Sequence, residues 1–320
     1  MDDEKIIKKY FYKLSKNNPS SLNLNDDVFF DKKKNLVIST DTYNEKIHYK
    51  NLSYPDLIIK KIIRSSISDL ICKGVKPKYI FISASINKKL SKHKNFLLII
   101  NSLKHELKKY KILLCGGDTT FSKVTSFTIT TIGFSKKIVK RNKTKLNDII
   151  YVTGSLGDPY AGLLVINKKI NCNQSFRNYF KNKYYVPDIP YKFYKYIQDI
   201  ASSSMDISDG LILDLERMMN KQNLNYHINL NKIPISNKLK QLIDNNKLQK
   251  ENFISKGDDY QILFTSPFNK IEKIKKIAKR IKIKITAIGR ITKGDNLILN
   301  SKNKNLLKTM KNKGYLHRFA

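Results

Sequence analysis

The sequence predicts a mixed α/β (α+β) protein of two domains, and three observations carry that prediction. β-rich runs alternate with segments of helical apolar spacing through both halves of the chain. A polar, charged stretch, SKKIVKRNKTKLND at 135–148, separates the halves and sets the expected domains at 1–138 and 139–320. The length, 320 residues of which 41% are hydrophobic, gives ample material for more than one core.

Taken in order, the first dozen residues suit a short helix. LVISTD at 36–41 is a β-rich run that ends at an acid. PDLIIKKIIRSSISDLICKGV at 55–75 has helical apolar spacing, with Pro55 and Asp56 at its start and Gly74 as its stop. KYIFISASI at 78–86 reads as a strand and 91–110 as an amphipathic helix. KILLC at 111–115 reads as a buried strand that breaks at Gly116 and Gly117, and VTSFTITTIGF at 124–134 alternates like a strand with one wet face. In the second half, IIYVTGSLGDPYAGLLVI gives a strand, a glycine-punctuated turn and a helix. SSMDISDGLILDLERMM repeats that layout, with a helix from about Gly210. YHINL, YQILF and KITAIGRI are strand-like, and 268–281 is helical.

Composition excludes several classes of function. The longest apolar run, FLLII at 96–100, falls far short of the roughly 18–20 residues that cross a bilayer. The N-terminal MDDEKIIKKYFYK has no apolar h-region, so no secretory signal is expected. Cys72, Cys115 and Cys172 are widely spaced with no CxxC pair, which points to a reducing compartment and no metal–thiolate site. The expected location is the cytoplasm, with no membrane partner. A net charge of +36 raises nucleic acid as a partner. Only seven of the 62 basic residues are arginine, however, the residue that reads guanines and phosphates in bidentate fashion. The lysines are scattered among abundant Asn and Ile, so they read as solvated faces produced by compositional drift, and no nucleic-acid partner is expected.

The acids are few, and nine of the 26 stand at Asp26, Asp27, Asp41, Asp69, Asp118, Asp206, Asp209, Asp258 and Asp259. In GGDT, glycines let the backbone approach an anion closely, and the carboxylate of Asp118 could bind Mg²⁺. A tight turn in which Asp118 caps its own backbone explains the same residues. Asp206 and Asp209 in MDISDG sit at a strand-to-helix turn, where they suit a metal site or, for Asp209 or Ser208, an N-cap. Asp41 ends a strand, and Ser39, Thr40 and Asp41 offer several hard oxygens. Asp69 lies within a helix, where a capping or solvated role also explains it. Repulsion within the Asp26–Asp27 pair is most easily relieved by a cation, although an exposed loop would also tolerate it. TGSLGD matches neither the P-loop nor the Rossmann pattern, and no GxSxG, HExxH or kinase set occurs.

In this order, LNDDV, STDTYNEKIHY, SISDLICKGVKP, LLCGGDTT, IIYVTGSLGD, SSMDISDGL, GDDYQILFT and AIGRI resemble the thiamine-monophosphate kinase family, within the superfamily of aminoimidazole ribonucleotide synthetase and selenophosphate synthetase. The resemblance runs from about residue 24 onward. It implies the two-domain fold of the aminoimidazole ribonucleotide synthetase type, a homodimer formed through the N-terminal sheets, and transfer of the γ-phosphoryl of ATP to thiamine monophosphate. It also implies a cluster of Mg²⁺ ions on Asp27, Ser39, Thr40, Asp41, Asp69, Asp118, Asp206 and Asp209. Gly117, Asp118, Arg141 and Ser208 match ATP-contacting positions; His48, Asp258 and Tyr315 match positions that hold the thiamine phosphate. Asn25, Ser66, Phe121, Ser122, Lys256 and Gln261 depart from the family pattern, and the change at Phe121 removes a basic residue expected near the phosphates. No catalytic base is required, because a phosphate monoester, with a second pKa of about 6, attacks as its dianion. His48 is therefore assigned to binding. The alternatives are a selenophosphate- or aminoimidazole-ribonucleotide-synthetase-type enzyme and, from another class, a basic nucleic-acid-binding protein. The first cysteine, Cys72, lies inside a helix and far from the N-terminus, which argues against the selenophosphate enzyme.

Overall fold

The computed structural model describes residues 2–300, 304–307, 310, 313–317 and 319. It is a mixed α/β structure built on two sheets. The first comprises β1 (Phe29–Asp31), β2 (Leu36–Asn44), β3 (Pro77–Ile86), β4 (Leu113–Phe121) and β5 (Ser126–Phe134) in the order β1-β2-β5-β3-β4. Only β3 and β4 run parallel within it. The second comprises β6 (Ile149–Thr153), β7 (Ser203–Asp206), β8 (Asn225–Asn229), β9 (Ile262–Ser266), β10 (Ile285–Thr292) and β11 (Leu297–Leu299), in the order β11-β8-β10-β6-β9-β7.

The helices follow the sequence signals. A short α1 (Asp3–Ile6) is capped by the Asp2 carboxylate, which accepts from Lys5 N. α2 (Pro55–Cys72) has proline in its first turn, where the missing N–H costs nothing. It is apolar around most of its circumference because both sides are covered. Tyr43, Ile80, Phe127 and Ile129 of the first sheet join Ile58, Ile62 and Ile67 in one core, which continues into Phe193, Ile197 and Phe264 of the second half. α3 (His93–Tyr110) packs beside α2 and ends on Lys111 in the left-handed conformation. α4 (Asp158–Ile166), α5 (Gln174–Tyr185) and α6 (Leu211–Met218) belong to the second half.

Two expectations are corrected. The strand beginning near Lys111 does not break at Gly116 and Gly117; β4 runs through both to Phe121. Nor is it buried: it forms the sheet edge and every one of its residues is exposed, Leu113 by 61% and Phe121 by 76%. The apolar run within KILLC suits a core, but an edge strand in a single chain has no neighbour on one side. The glycines serve close approach instead. Gly117 has φ +155°, and a Cβ there would lie 1.8 Å from the Ile82 carbonyl oxygen on β3. At the start of α6 neither Ser208 nor Asp209 is the cap. The cap residue is Gly210, and the Asp214 carboxylate reaches back to accept from the N–H groups of Asp209 and Gly210, both at 3.0 Å.

Candidate active site

The site begins with a polar stripe on the otherwise apolar α2. Ser65, Ser66, Ser68 and Asp69 fall within little more than one turn, so they face β2 on one side and the end of β7 on the other. Along β2 alternate residues point inward, which directs Ser39, Asp41 and Tyr43 at this stripe. Ser39 Oγ donates to Asp69 Oδ2. Tyr43 OH donates to Asp41 Oδ2 at 3.3 Å and pairs with Ser66 Oγ at 2.9 Å. Ser68 Oγ donates to Asp206 Oδ2 at 2.5 Å. One carboxylate oxygen from each of Asp27, Asp69 and Asp206 comes within 4.8 Å of the others.

Asp26 and Asp27 enter from the loop before β1. Lys73 Nζ lies 2.7 Å from Asp26 Oδ1 and 2.7 Å from Asp27 Oδ2. The Arg141 guanidinium pairs with Asp27, and the Arg141 backbone N–H donates to Asp26 Oδ2 at 2.9 Å. Burial and neighbouring carboxylates dominate the electrostatics. Asp41 is pushed up to about 7, by burial first and Asp206 second. Burial, with Asp41 and Asp206 adding to it, holds Asp69 well above the carboxylate range. Burial also raises Asp206, against the opposing pull of Ser68, Arg141 and Lys73. Asp209 is raised by burial and opposed by Arg217, whose guanidinium pairs with it. Carboxylates crowded in this way carry more negative charge than their protein partners cancel. Their hard oxygens suit a divalent ion such as Mg²⁺.

A second group of side chains opens into the same cavity, of about 460 Å³. The loop 257–260 turns through left-handed conformations at Gly257, Asp258 and Tyr260. Gly257 is needed there because a Cβ would lie 2.0 Å from the Ser208 carbonyl oxygen. The loop is pinned to the strand-to-helix turn by Asp258 N–H to Ser208 O and Tyr260 N–H to Ile207 O, each 2.8 Å. Asp258 accepts from Lys61 Nζ at 2.9 Å and from Tyr260 OH at 3.1 Å. His48 Nδ1 accepts the Asn44 N–H at 2.9 Å, which places the proton of the neutral ring on Nε2. Burial, then His317, lower its pKa to about 4. His317 also stands edge-on to Tyr315, and Tyr315 N–H donates to Asp209 O at 2.8 Å.

Of the residues singled out from the sequence, Asp27, Asp41, His48, Asp69, Arg141, Asp206, Ser208, Asp209, Asp258 and Tyr315 line this one cavity. Ser39 is bonded to it through Asp69. Thr40, Gly117 and Asp118 are not brought there. Thr40 bonds Thr130 on the outer face of the first sheet, where Thr42 also pairs with Thr128. Asp118 is level with Ser83, which is level with Thr128, so it points to that outer face, away from Asp41. There its Oδ1 accepts the N–H of Thr119 at 2.8 Å. Sequence reasoning missed Lys61, Lys73, Arg217, Tyr43 and His317. The signal for Lys61 and Lys73 was a charge within an apolar helical pattern, and in a chain this rich in lysine it does not stand out.

Comparison with known proteins gives this cavity a context. The family model described as AIR synthase related protein, N-terminal domain, matches residues 24–135, and its C-terminal-domain counterpart matches 145–302. The chain is 36% identical to the thiamine-monophosphate kinase of Buchnera aphidicola subsp. Acyrthosiphon pisum, covering 93% of this chain and 94% of that relative. It belongs to the thiamine-monophosphate kinase family. The thiamine-monophosphate kinase of Haemophilus influenzae is 29% identical across 91% of this chain and 89% of its own. A solved complex of AaThiL with AMPPCP and TMP superposes with a TM-score of 0.85 at 26% identity, covering 99% of this chain and 97% of that one. As a member of the thiamine-monophosphate kinase family, the chain presents in one cavity a carboxylate-rich region and a region built around His48 and Asp258, with the buried Lys61 bonded to Asp258.

Proposed function

We propose that this chain transfers the γ-phosphoryl group of ATP to thiamine monophosphate, giving thiamine diphosphate and ADP by a direct in-line displacement that depends on Mg²⁺. The observation that carries the reading is the convergence of Asp27, Asp69 and Asp206 within 4.8 Å in the cavity that also holds His48 and Asp258. Family membership and the likeness to the AMPPCP- and TMP-bound structure support it.

The donor set fits magnesium: buried carboxylates and hydroxyls, with no thiolate beside them apart from the buried Cys72 thiol, held protonated. Asp27, Asp41, Asp69, Asp206 and Asp209, with Ser39 behind Asp69, would hold it. When bound, Mg²⁺ would screen the repulsion between two phosphate anions and neutralise charge developing on the transferred group. The residues of the chain do the positioning. Arg141 and Ser208 face the ATP side, and Lys61 fixes Asp258 where it can orient the thiamine portion. His48, neutral at physiological pH, offers Nε2–H as a donor. An oxygen of the acceptor phosphate forms the new P–O bond as the γ-phosphorus bond to the β-bridging oxygen breaks, and no side chain takes a proton.

Thr40, Gly117 and Asp118 enter this reading through a second copy. A long exposed edge strand carrying Leu113, Leu114 and Phe121 calls for a cover, and a homodimer packed on β4 supplies one. Gly117 and Asp118 would then serve ATP and metal at the subunit boundary. We also place the domain division at 138/139, between the two sheets, and the protein in the cytoplasm. No helix among the described residues is long and apolar enough to cross a membrane. The test is production of ADP and thiamine diphosphate from ATP and thiamine monophosphate, with and without Mg²⁺. A correctly folded but inactive wild type ends the proposal. Sedimentation of wild type against Phe121→Lys tests the dimer, which the variant should split.

A further inference from the structure

Lys73 ends α2, yet its side chain turns away from solvent into the acidic region and is 0% exposed. Its Nζ makes three contacts: Asp26 Oδ1 at 2.7 Å, Asp27 Oδ2 at 2.7 Å and the Ser204 carbonyl oxygen at 2.8 Å. The contact to Ser204 is a hydrogen bond and the two to the carboxylates are ion pairs, so the ammonium is enclosed by oxygens. The two carboxylates come from the loop before β1 and the carbonyl from β7, so the ammonium sits where the two halves of the chain meet. Asp27 has a second role, because with Asp69 and Asp206 it makes up the three convergent carboxylates. One carboxylate group is thus divided between a covalently attached cation and the candidate metal position.

We propose that Lys73 is a resident cation of the cluster: its ammonium fills a cation position between Asp26 and Asp27 and holds Asp27 toward Asp69 and Asp206. This inference rests on reading that cluster as a magnesium site. A lysine cannot dissociate, so the loop carrying Asp26 and Asp27 stays docked in the absence of divalent ions. Metal is then needed for the chemistry and for the Asp69–Asp206 side, not to assemble the Asp26–Asp27 side. If the ammonium is removed, Asp27 keeps the Arg141 guanidinium but the adjacent buried Asp26 keeps only the Arg141 backbone N–H, so the pair is one positive charge short, an arrangement that is destabilising unless another cation arrives.

The test compares wild type with Lys73→Met, which keeps the length and loses the charge. Mn²⁺ bound per chain is counted by electron paramagnetic resonance in the presence of AMPPCP, and thermal melts are run in EDTA and in saturating Mg²⁺. The variant is expected to melt well below wild type in EDTA, to recover more than half of that loss in Mg²⁺, and to bind one Mn²⁺ more than wild type. An equal loss of Tm in both buffers, or an unchanged Mn²⁺ count, overturns the inference and leaves a plain structural ion pair. A wild type that binds no Mn²⁺ overturns the magnesium reading and this inference with it, so the two failures are distinguishable. If Lys73→Met does not fold, the double variant Asp26→Asn, Lys73→Met removes one charge of each sign. It is expected to match wild type in Tm in EDTA and in Mn²⁺ count; a Tm in EDTA well below wild type, no folding transition at all, or an extra Mn²⁺ overturns the inference.

Discussion

Lys61 Nζ on α2 donates to Asp258 Oδ2 at 2.9 Å and lies 3.8 Å from the centre of the Tyr184 ring. The lysine is almost wholly enclosed, whereas the Asp258 side chain keeps 28% of its exposure. Removing the ammonium therefore leaves a carboxylate that water can partly serve, and the cost of Lys61→Met should be about 1–3 kcal/mol. The larger effect falls on binding. The KM for thiamine monophosphate should rise about tenfold, equivalent to 1.4 kcal/mol, with the KM for ATP nearly unchanged. Steady-state kinetics with each substrate varied in turn checks this, and an unchanged KM for thiamine monophosphate would show that Lys61 does not set the position of Asp258.

The acidic cluster makes stability depend on pH in a definite direction. Asp41 in the folded chain titrates at about 7, against an ordinary value of 3.8. Between those values the native state holds more protons than the unfolded chain, so stability falls as pH rises. The contribution of Asp41 is complete below about pH 4 and lost by about pH 7. In EDTA, Tm should therefore drop over this window, and Asp41→Asn should flatten the drop. Saturating Mg²⁺ should flatten it too, because the ion favours the ionised carboxylates. Melts at a series of pH values in the two buffers measure all three curves.

Gly117→Ala is expected to fail for a local reason. Its Cβ would lie 1.8 Å from the Ile82 carbonyl oxygen, which is backbone and has no free rotation with which to yield. β3 and β4 would have to separate along the segment that pairs Ile82 with Gly117 and Ser83 with Asp118. The cost should be at least about 3 kcal/mol, in the range of severe backbone misfits, and appear as a lowered urea midpoint. Wild-type stability in the variant would mean that the strands are further apart than described.

His48→Ala separates binding from chemistry. With a pKa of about 4 the ring is neutral from pH 6 to pH 8, so His48 contributes no limb to the pH profile in that range. The variant should keep turnover within a few-fold at saturating thiamine monophosphate while KM rises about tenfold, consistent with one lost hydrogen bond of roughly 1–1.5 kcal/mol. Complete loss of turnover would assign the ring a part in the chemical step.

Much of the fold was legible because period and punctuation agreed. α2 announced itself through Pro55, Asp56 and its apolar spacing, and β5 through its strict alternation. The edge position of β4 is not legible, because the apolar run ILLC looks the same in a core and at an edge, and only the sheet order tells them apart. The carboxylates of the site stood out as acids in a basic chain, and ten of the selected residues share one cavity. The cations that organise them did not stand out. Lys61 and Lys73 have the commonest side chain of the sequence, and their burial follows from packing across α2 rather than from any local pattern. Arg217, which pairs with Asp209 and also reaches Glu4 at 2.6 Å, depends on a contact across more than two hundred residues.

The backbone of Tyr315 is bonded to Asp209, and that of Lys313 accepts from Leu213 N–H, so a late segment of the chain closes the wall of a pocket begun by Asp27. During synthesis, Asp206 can be held in the carboxylate cluster once β9, the strand that pairs with β7, has emerged from the ribosome, while the wall closed by Tyr315 must wait roughly another fifty residues, about 2.5–10 s at ordinary elongation rates. The nascent protein would therefore pass through an interval in which it can gather metal but cannot enclose its acceptor, and its competence would arrive only after Tyr315 has emerged.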